Sequence, residues 1–150
     1  MTVDALHRLR RMLLALFGLG AVGTTVELLL LGHTESVSQV VPLVGLALAI
    51  IGTIAVAVRP RRVVIRCFQC LMAVLVVMGP LGLYLHYHGN VEFELEMYPS
   101  LRGLALVGKA LTGATPALAP GTMVMLGLLG LASTYRHPVL LRQTAADESS

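Results

Sequence analysis

Charge is scarce in this sequence, and that scarcity limits the kind of protein it can encode. Only 13% of the 150 residues are charged, whereas 56% are hydrophobic, and the mean hydropathy is +0.81. A soluble domain of this size is usually about a quarter charged. The composition excludes a disordered chain or a fibrous repeat, and it leaves too little charge to cover a water-facing surface. Much of the surface is therefore expected to face lipid.

Cysteine is also scarce, since the chain has two, Cys67 and Cys70. Their C-x-x-C spacing occurs in thiol redox enzymes, including four-helix disulfide oxidases of the membrane. Such enzymes use a second cysteine pair to relay electrons, and this sequence has none. We interpret the two cysteines as small apolar residues on one helix face.

Long apolar runs are abundant, and a transmembrane helix needs about 20 such residues to cross a core of about 30 Å. The sequence predicts four spans, at about 12–32, 37–58, 63–85 and 116–135. The uninterrupted apolar part of the fourth, 121–132, is short. The expected fold is an all-α, polytopic membrane protein: one integral domain built as a four-transmembrane-helix bundle.

Two segments lie outside these spans. The outer segment, 86–115, separates spans three and four, and apolar residues recur within it at helical spacing. This pattern predicts a short helix lying at the membrane interface. Residues 143–150 form a polar tail. On the second span, Gly45, Ala49 and Thr53 form a row of small residues, which favours close packing within the bundle or between copies.

The basic residues predict the orientation, because short cytoplasmic loops are rich in Lys and Arg. Nine of the eleven fall before span one, between spans two and three or at the start of span three (Arg66), or after span four; the exceptions are Arg102 and Lys109. Both termini are therefore expected in the cytoplasm of a multi-pass inner (plasma) membrane protein. The cysteine pair then lies where thiols stay reduced. We interpret the excess of basic residues as a signal that sets the orientation in the membrane. The lipid bilayer is the expected partner, and binding to nucleic acid is not expected.

A group of ionisable residues is predicted to gather at the opposite, extracytoplasmic face. Glu27 lies inside the outer end of span one, and a carboxyl group within a span suggests proton handling. The candidate metal ligands follow span one or span three: His33, His86, His88, Glu92, Glu94 and Glu96. Imidazole and carboxylate together suit a divalent metal such as Zn, Fe, Mn, Ni or Cu. A haem is a less favoured cofactor, since few histidines could supply both axial positions.

The arrangement of these ligands depends on the backbone after Gly89. A helix would align His88, Glu92 and Glu96 at intervals of four. An extended chain would place the three glutamates on one face and the intervening apolar residues on the other, and the strict alternation over 91–97 favours that conformation. Hydrated interfacial side chains without a ligand are the alternative for any single residue.

The chain resembles the small multidrug-resistance transporters in two features only: the topology of four spans, and a glutamate, Glu27, in the first span. The resemblance implies a dimeric, proton-coupled transporter. The chain departs from that family in its lack of tryptophan, its long outer segment and the outer position of Glu27. The leading hypothesis is a small accessory membrane subunit whose His/Glu cluster binds a divalent metal or handles protons. The alternatives are a purely structural subunit of a larger complex and the dimeric transporter, and the evidence for an enzyme is weak.

Overall fold

The computed structural model describes residues 3–113 and 119–141, and every regular element in those ranges is helical. The elements are α1 (Val3–Leu30), α2 (Val37–Val58), α3 (Arg62–Met97), α4 (Gly103–Leu111) and α5 (Gly121–Ser133). The all-α prediction is confirmed, and α4 lies within the segment where a short helix was expected. The polar tail 143–150 and positions 114–118 lie outside the described residues.

Three helices, α1, α2 and α3, are long and apolar enough to cross a membrane. Large apolar side chains cover their outer faces; Leu19 is 73% exposed and Val77 is 68% exposed. Contiguous exposed apolar surface of this extent is rare on soluble monomers. The apolar helix α5 has 13 residues and is about 20 Å long, shorter than a bilayer core of about 30 Å. The structure therefore supports three candidate spans, and the fourth stays a prediction.

The chain forms two compact units, and the first contains α1, α2, the start of α3 and the end of α5. Its core is apolar, with the rings of Phe17 and Phe68 meeting edge to face at a centroid distance of 5.7 Å. Gly45 and Ala49, from the small-residue row of α2, are buried in this unit. The row therefore serves packing within the chain at these two positions.

Helix α1 ends in a turn that needs glycine. Gly32 has a φ of +64°, a left-handed conformation that glycine adopts without steric cost. The following N–H, of His33, donates to the carbonyl of Leu28 over 3.0 Å. This pattern of a left-handed glycine and a returning hydrogen bond satisfies the carbonyls at a helix end.

The second unit contains the rest of α3, α4 and the start of α5. Helix α3 continues through Pro80 to Met97. Gly79 allows the start of α5 to approach closely, because a Cβ there would overlap Val124 and would lie 3.1 Å from the carbonyl oxygen of Pro120. Gly79 thus has a packing role.

The predicted extended conformation of 91–97 is wrong, since these residues are the last turns of α3. A seven-residue alternation is a weak signal when the same residues can lengthen an existing helix, because each added residue gains a hydrogen bond without a new nucleation step. The helical backbone changes which side chains share a face. The positions it buries, Asn90 and Glu94, lie four residues apart.

Candidate functional site on the third helix

The polar residues near the end of α3 divide between two faces of the helix. The inward face carries Asn90, 2% exposed, and Glu94, 7% exposed, with His86 half-buried one turn before Asn90. The outward face carries the exposed residues His88, Glu92 and Glu96. The side chains predicted to form one ligand set are therefore split by the helix.

Asn90 joins the inward face to α4. Its side-chain Nδ2 donates to the carbonyl oxygen of Ala110 over 2.8 Å, and the last carbonyls of a helix have no partner within it. The backbone of Gly113 lies directly against this amide; a Cβ there would come within 2.9 Å of the Asn90 Cγ. Asn90 thus holds the end of α4 against α3.

Glu94 is the strongest functional candidate in the second unit. Its Oε2 is fully covered and has no hydrogen-bond partner among the described residues. Leaving a buried polar group unsatisfied costs about 1–3 kcal/mol, and more when the group is charged. A buried polar group without a partner calls for an explanation, such as an ordered water, a bound ion or a chemical role. His86 lies eight residues earlier, about 12 Å along the helix, too far away for both side chains to hold one ion.

The outward face contains a paired imidazole and carboxylate. The Nδ1 of His88 lies 3.3 Å from Oε1 of Glu92, and the two side chains are 53% and 67% exposed. Imidazole and carboxylate are ligand types that zinc takes, and a zinc site usually has three or four protein ligands. Among residues 3–113 and 119–141, no group of three or more His, Cys, Asp or Glu side chains is arranged to hold a metal ion.

The remaining predicted site residues, Glu27 and His33, belong to the first unit. Glu27 is exposed on the last turns of α1, and His33 is half-buried in the turn that follows. The next loop has a structural role at the start of α2, where Oε1 of Gln39 accepts hydrogen bonds from the backbone N–H groups of Glu35 and Ser36. This is half of a capping box, which ties the start of a helix to its first turn.

Sequence reasoning missed the role of Arg10, which it counted only as a topogenic charge. Arg10 is 8% exposed, its Nε donates to the carbonyl of Tyr135 over 2.8 Å, and its Nη2 donates to the carbonyl of Arg136. Both carbonyls follow the C-terminal end of α5, where a cation also complements the helix dipole. No local pattern could reveal this contact, because its partners lie 125 and 126 positions away.

His137 lies beside Arg10 at the same end of the first unit. Its Nδ1 accepts a hydrogen bond from the backbone N–H of Val139 over 3.4 Å, which requires that nitrogen to be unprotonated. Burial, and then the charges of Arg10 and His7, lower the pKa of His137 below its usual 6.5. The neutral imidazole is thus the form that fits this position.

Comparison of the chain with protein-family models, with curated proteins and with solved structures finds no match. Functional inference therefore rests on the chemistry of the residues themselves. In the second unit that chemistry is a buried carboxyl group on one face of α3 and an exposed imidazole–carboxylate pair on the other.

Proposed function

We propose that the protein is a small integral membrane subunit that takes up and releases a proton at Glu94. The observation that carries the proposal is the buried carboxyl group of Glu94, whose Oε2 has no partner among the described residues. In the proposed topology both termini are cytoplasmic, and α3 emerges on the opposite side of the inner membrane. The 36 residues of α3 extend about 54 Å, which leaves several turns beyond a core of about 30 Å.

The chemistry suits proton exchange because a carboxyl group donates a hydrogen bond when protonated and accepts one when ionised. Asn90, one turn before Glu94, keeps α4 in place over the inward face through its bond to Ala110. His86 on the same face carries an imidazole, a second type of side chain that can exchange protons. Proton exchange requires only one or two such groups, whereas a metal site usually requires three or four protein ligands. The arrangement on α3 therefore suits proton exchange better than metal binding.

The test replaces Glu94 by its uncharged isostere. The infrared C=O band of a protonated carboxyl group, followed across pH in purified protein, reports whether a buried carboxyl takes up a proton. We expect Glu94→Gln to abolish the pH-dependent band of the buried group. The matched controls Glu92→Gln and Glu96→Gln, exposed carboxylates on the same helix, should keep it. A band that survives in Glu94→Gln would exclude this residue as the proton carrier.

A divalent metal is the second candidate ligand, supported by the 3.3 Å contact of His88 with Glu92. This pair would be completed by further donors, from the other predicted ligands or from a second copy. Metal analysis of the detergent-purified protein tests this, with His88→Ala expected to lose the metal and His86→Ala, on the other face, to keep it. Stoichiometric metal retained by His88→Ala would contradict this ligand assignment.

The transporter alternative uses Glu27, which is exposed on α1. An exposed carboxyl group on an apolar helix suits a contact with a second copy or with a larger complex, since charge facing lipid is costly. The structural-subunit alternative would be favoured if the protein co-purifies with a large partner and shows neither a titrating buried carboxyl group nor a bound metal.

A further inference from the structure

We propose that the first unit binds a phosphate group at a basic cluster formed by His7, Arg10 and Arg136, with the neutral imidazole of His137 beside them. This site is separate from Glu94, and the proposal does not depend on the proton-handling function. The four side chains come from α1 and from the residues directly after α5.

The cluster is held together by the fold. The two hydrogen bonds from Arg10 to the carbonyls of Tyr135 and Arg136 place its guanidinium against the backbone that carries Arg136 and His137. The charges of Arg10 and His7 are close enough to act on His137, and the charge of Arg136 is close enough to act on Arg10. Arg136 is kept in a left-handed conformation, with a φ of +47°, which costs energy for a residue other than glycine.

The charge of this cluster is not balanced by acidic side chains within the described residues. Among the described residues, an ion pair joins His88 to Glu92 in the second unit. No carboxylate in the described ranges pairs with a member of the cluster. Gathering two guanidinium groups without a counter-ion is unfavourable, and an anion would relieve the repulsion. Phosphate fits best, because its oxygens accept several charge-assisted hydrogen bonds from arginine.

The cluster also has donors to spare. Arginine has five N–H groups. In Arg10, Nε and Nη2 each donate one hydrogen bond to a backbone carbonyl. The side chain of Arg136 is exposed. The cluster stands at the ends of apolar helices, where the proposed cytoplasmic interface places the headgroups of anionic lipids. The phosphate could therefore belong to a lipid headgroup or to a free phosphate ion.

The test uses the full chain in detergent, titrated with short-chain phosphatidylglycerol, with inorganic phosphate and with zwitterionic phosphatidylcholine, and followed by thermal stability. Arg136→Gln removes the exposed guanidinium and keeps the backbone carbonyl that Arg10 binds. Arg61→Gln is the matched control, because Arg61 is an exposed arginine of the predicted cytoplasmic loop. We expect affinity for phosphatidylglycerol to fall about fivefold in Arg136→Gln and to be unchanged in Arg61→Gln.

The outcomes separate the sources of phosphate. Binding of both ligands would identify a free-phosphate site that also takes lipid, and binding of phosphatidylglycerol alone would identify a headgroup site. Equal weakening in Arg136→Gln and Arg61→Gln would show a general attraction to anionic surfaces and would overturn the proposal. Failure of phosphatidylglycerol and phosphate to stabilise the wild-type chain would also overturn it. Variants of Arg10 are avoided because this residue also holds the end of α5.

Discussion

The side-chain amide of Asn90 on α3 donates a hydrogen bond to the backbone carbonyl of Ala110, near the end of α4, over 2.8 Å. The guanidinium of Arg10 on α1 likewise donates hydrogen bonds to the backbone carbonyls of Tyr135 and Arg136, which follow α5. In each case a side chain of one helix satisfies carbonyls at, or just beyond, the C-terminal end of another. An unpaired carbonyl costs several kcal/mol in apolar surroundings, so these contacts help to stabilise the two helix ends.

Replacing Asn90 by alanine is expected to loosen α4. The change removes the donor, leaves the Ala110 carbonyl unsatisfied, and should cost about 1–3 kcal/mol. Amide hydrogen exchange should accelerate in α4, and reversible unfolding in detergent should report the lost stability. Glu96→Ala, an exposed position on the same helix, is the control. Unchanged exchange in α4 would mean that the hydrogen bond does not hold this helix.

Replacing Arg10 by glutamine should destabilise the end of α5 by about 1.5–3 kcal/mol, the range for hydrogen bonds to charged groups. The effect should be partial, because Nε2 of Gln69 also contacts Oγ1 of Thr134 over 3.2 Å. Unfolding in detergent measures the loss, and Arg8→Gln, an exposed arginine on the same helix, should cause little. Equal losses in both variants would indicate a charge effect and not a specific contact.

Acidification should weaken the first unit through His137. Its pKa in the folded chain is lowered by burial, and then by the charges of Arg10 and His7, so the unfolded chain binds the proton more readily. The stability that the neutral imidazole contributes is therefore present above about pH 6.5 and is lost as the pH falls through the lowered pKa. His137→Asn keeps a side-chain acceptor for the backbone N–H of Val139 but removes the titrating group. Unfolding measured against pH should show a smaller acid loss in this variant, and identical profiles would contradict the assignment.

The dimeric-transporter alternative makes its own prediction at Glu27. If this carboxyl group couples transport to protons, Glu27→Gln should abolish proton release on substrate binding, because the amide cannot ionise. Proton release by protein in detergent can be followed with a pH-sensitive dye. Glu35→Gln, an exposed carboxylate in the next loop, is the matched control. Release that is unchanged in Glu27→Gln would eliminate this mechanism.

The helices were largely predictable because long apolar runs have few alternative structures. The predicted span 37–58 coincides with α2, whereas α1 starts nine residues before the predicted span 12–32 and α3 ends twelve residues beyond the predicted span 63–85. Hydropathy locates the part of a helix that suits lipid, while backbone hydrogen bonds continue into polar sequence. Boundaries at the polar ends could not follow from hydropathy alone.

The candidate site was predictable in composition and not in arrangement. The sequence marked Glu94 as one of several similar carboxylates, and only the helical backbone separates it from Glu92 and Glu96. Asn90 and Arg10 gave no usable signal, since their roles depend on partners 20 or more positions away. Contacts of this kind arise from tertiary packing, which no local periodicity encodes.

The direction of the two helix-end contacts has a consequence for biosynthesis. Arg10 precedes Tyr135 in the chain, and Asn90 precedes Ala110, so the ribosome makes each donor before its acceptor. The carbonyls at the end of α4 and just after α5 are thus synthesised when their partner side chains already exist. The chain can thereby complete each late helix end as soon as it is made, without waiting for any residue downstream.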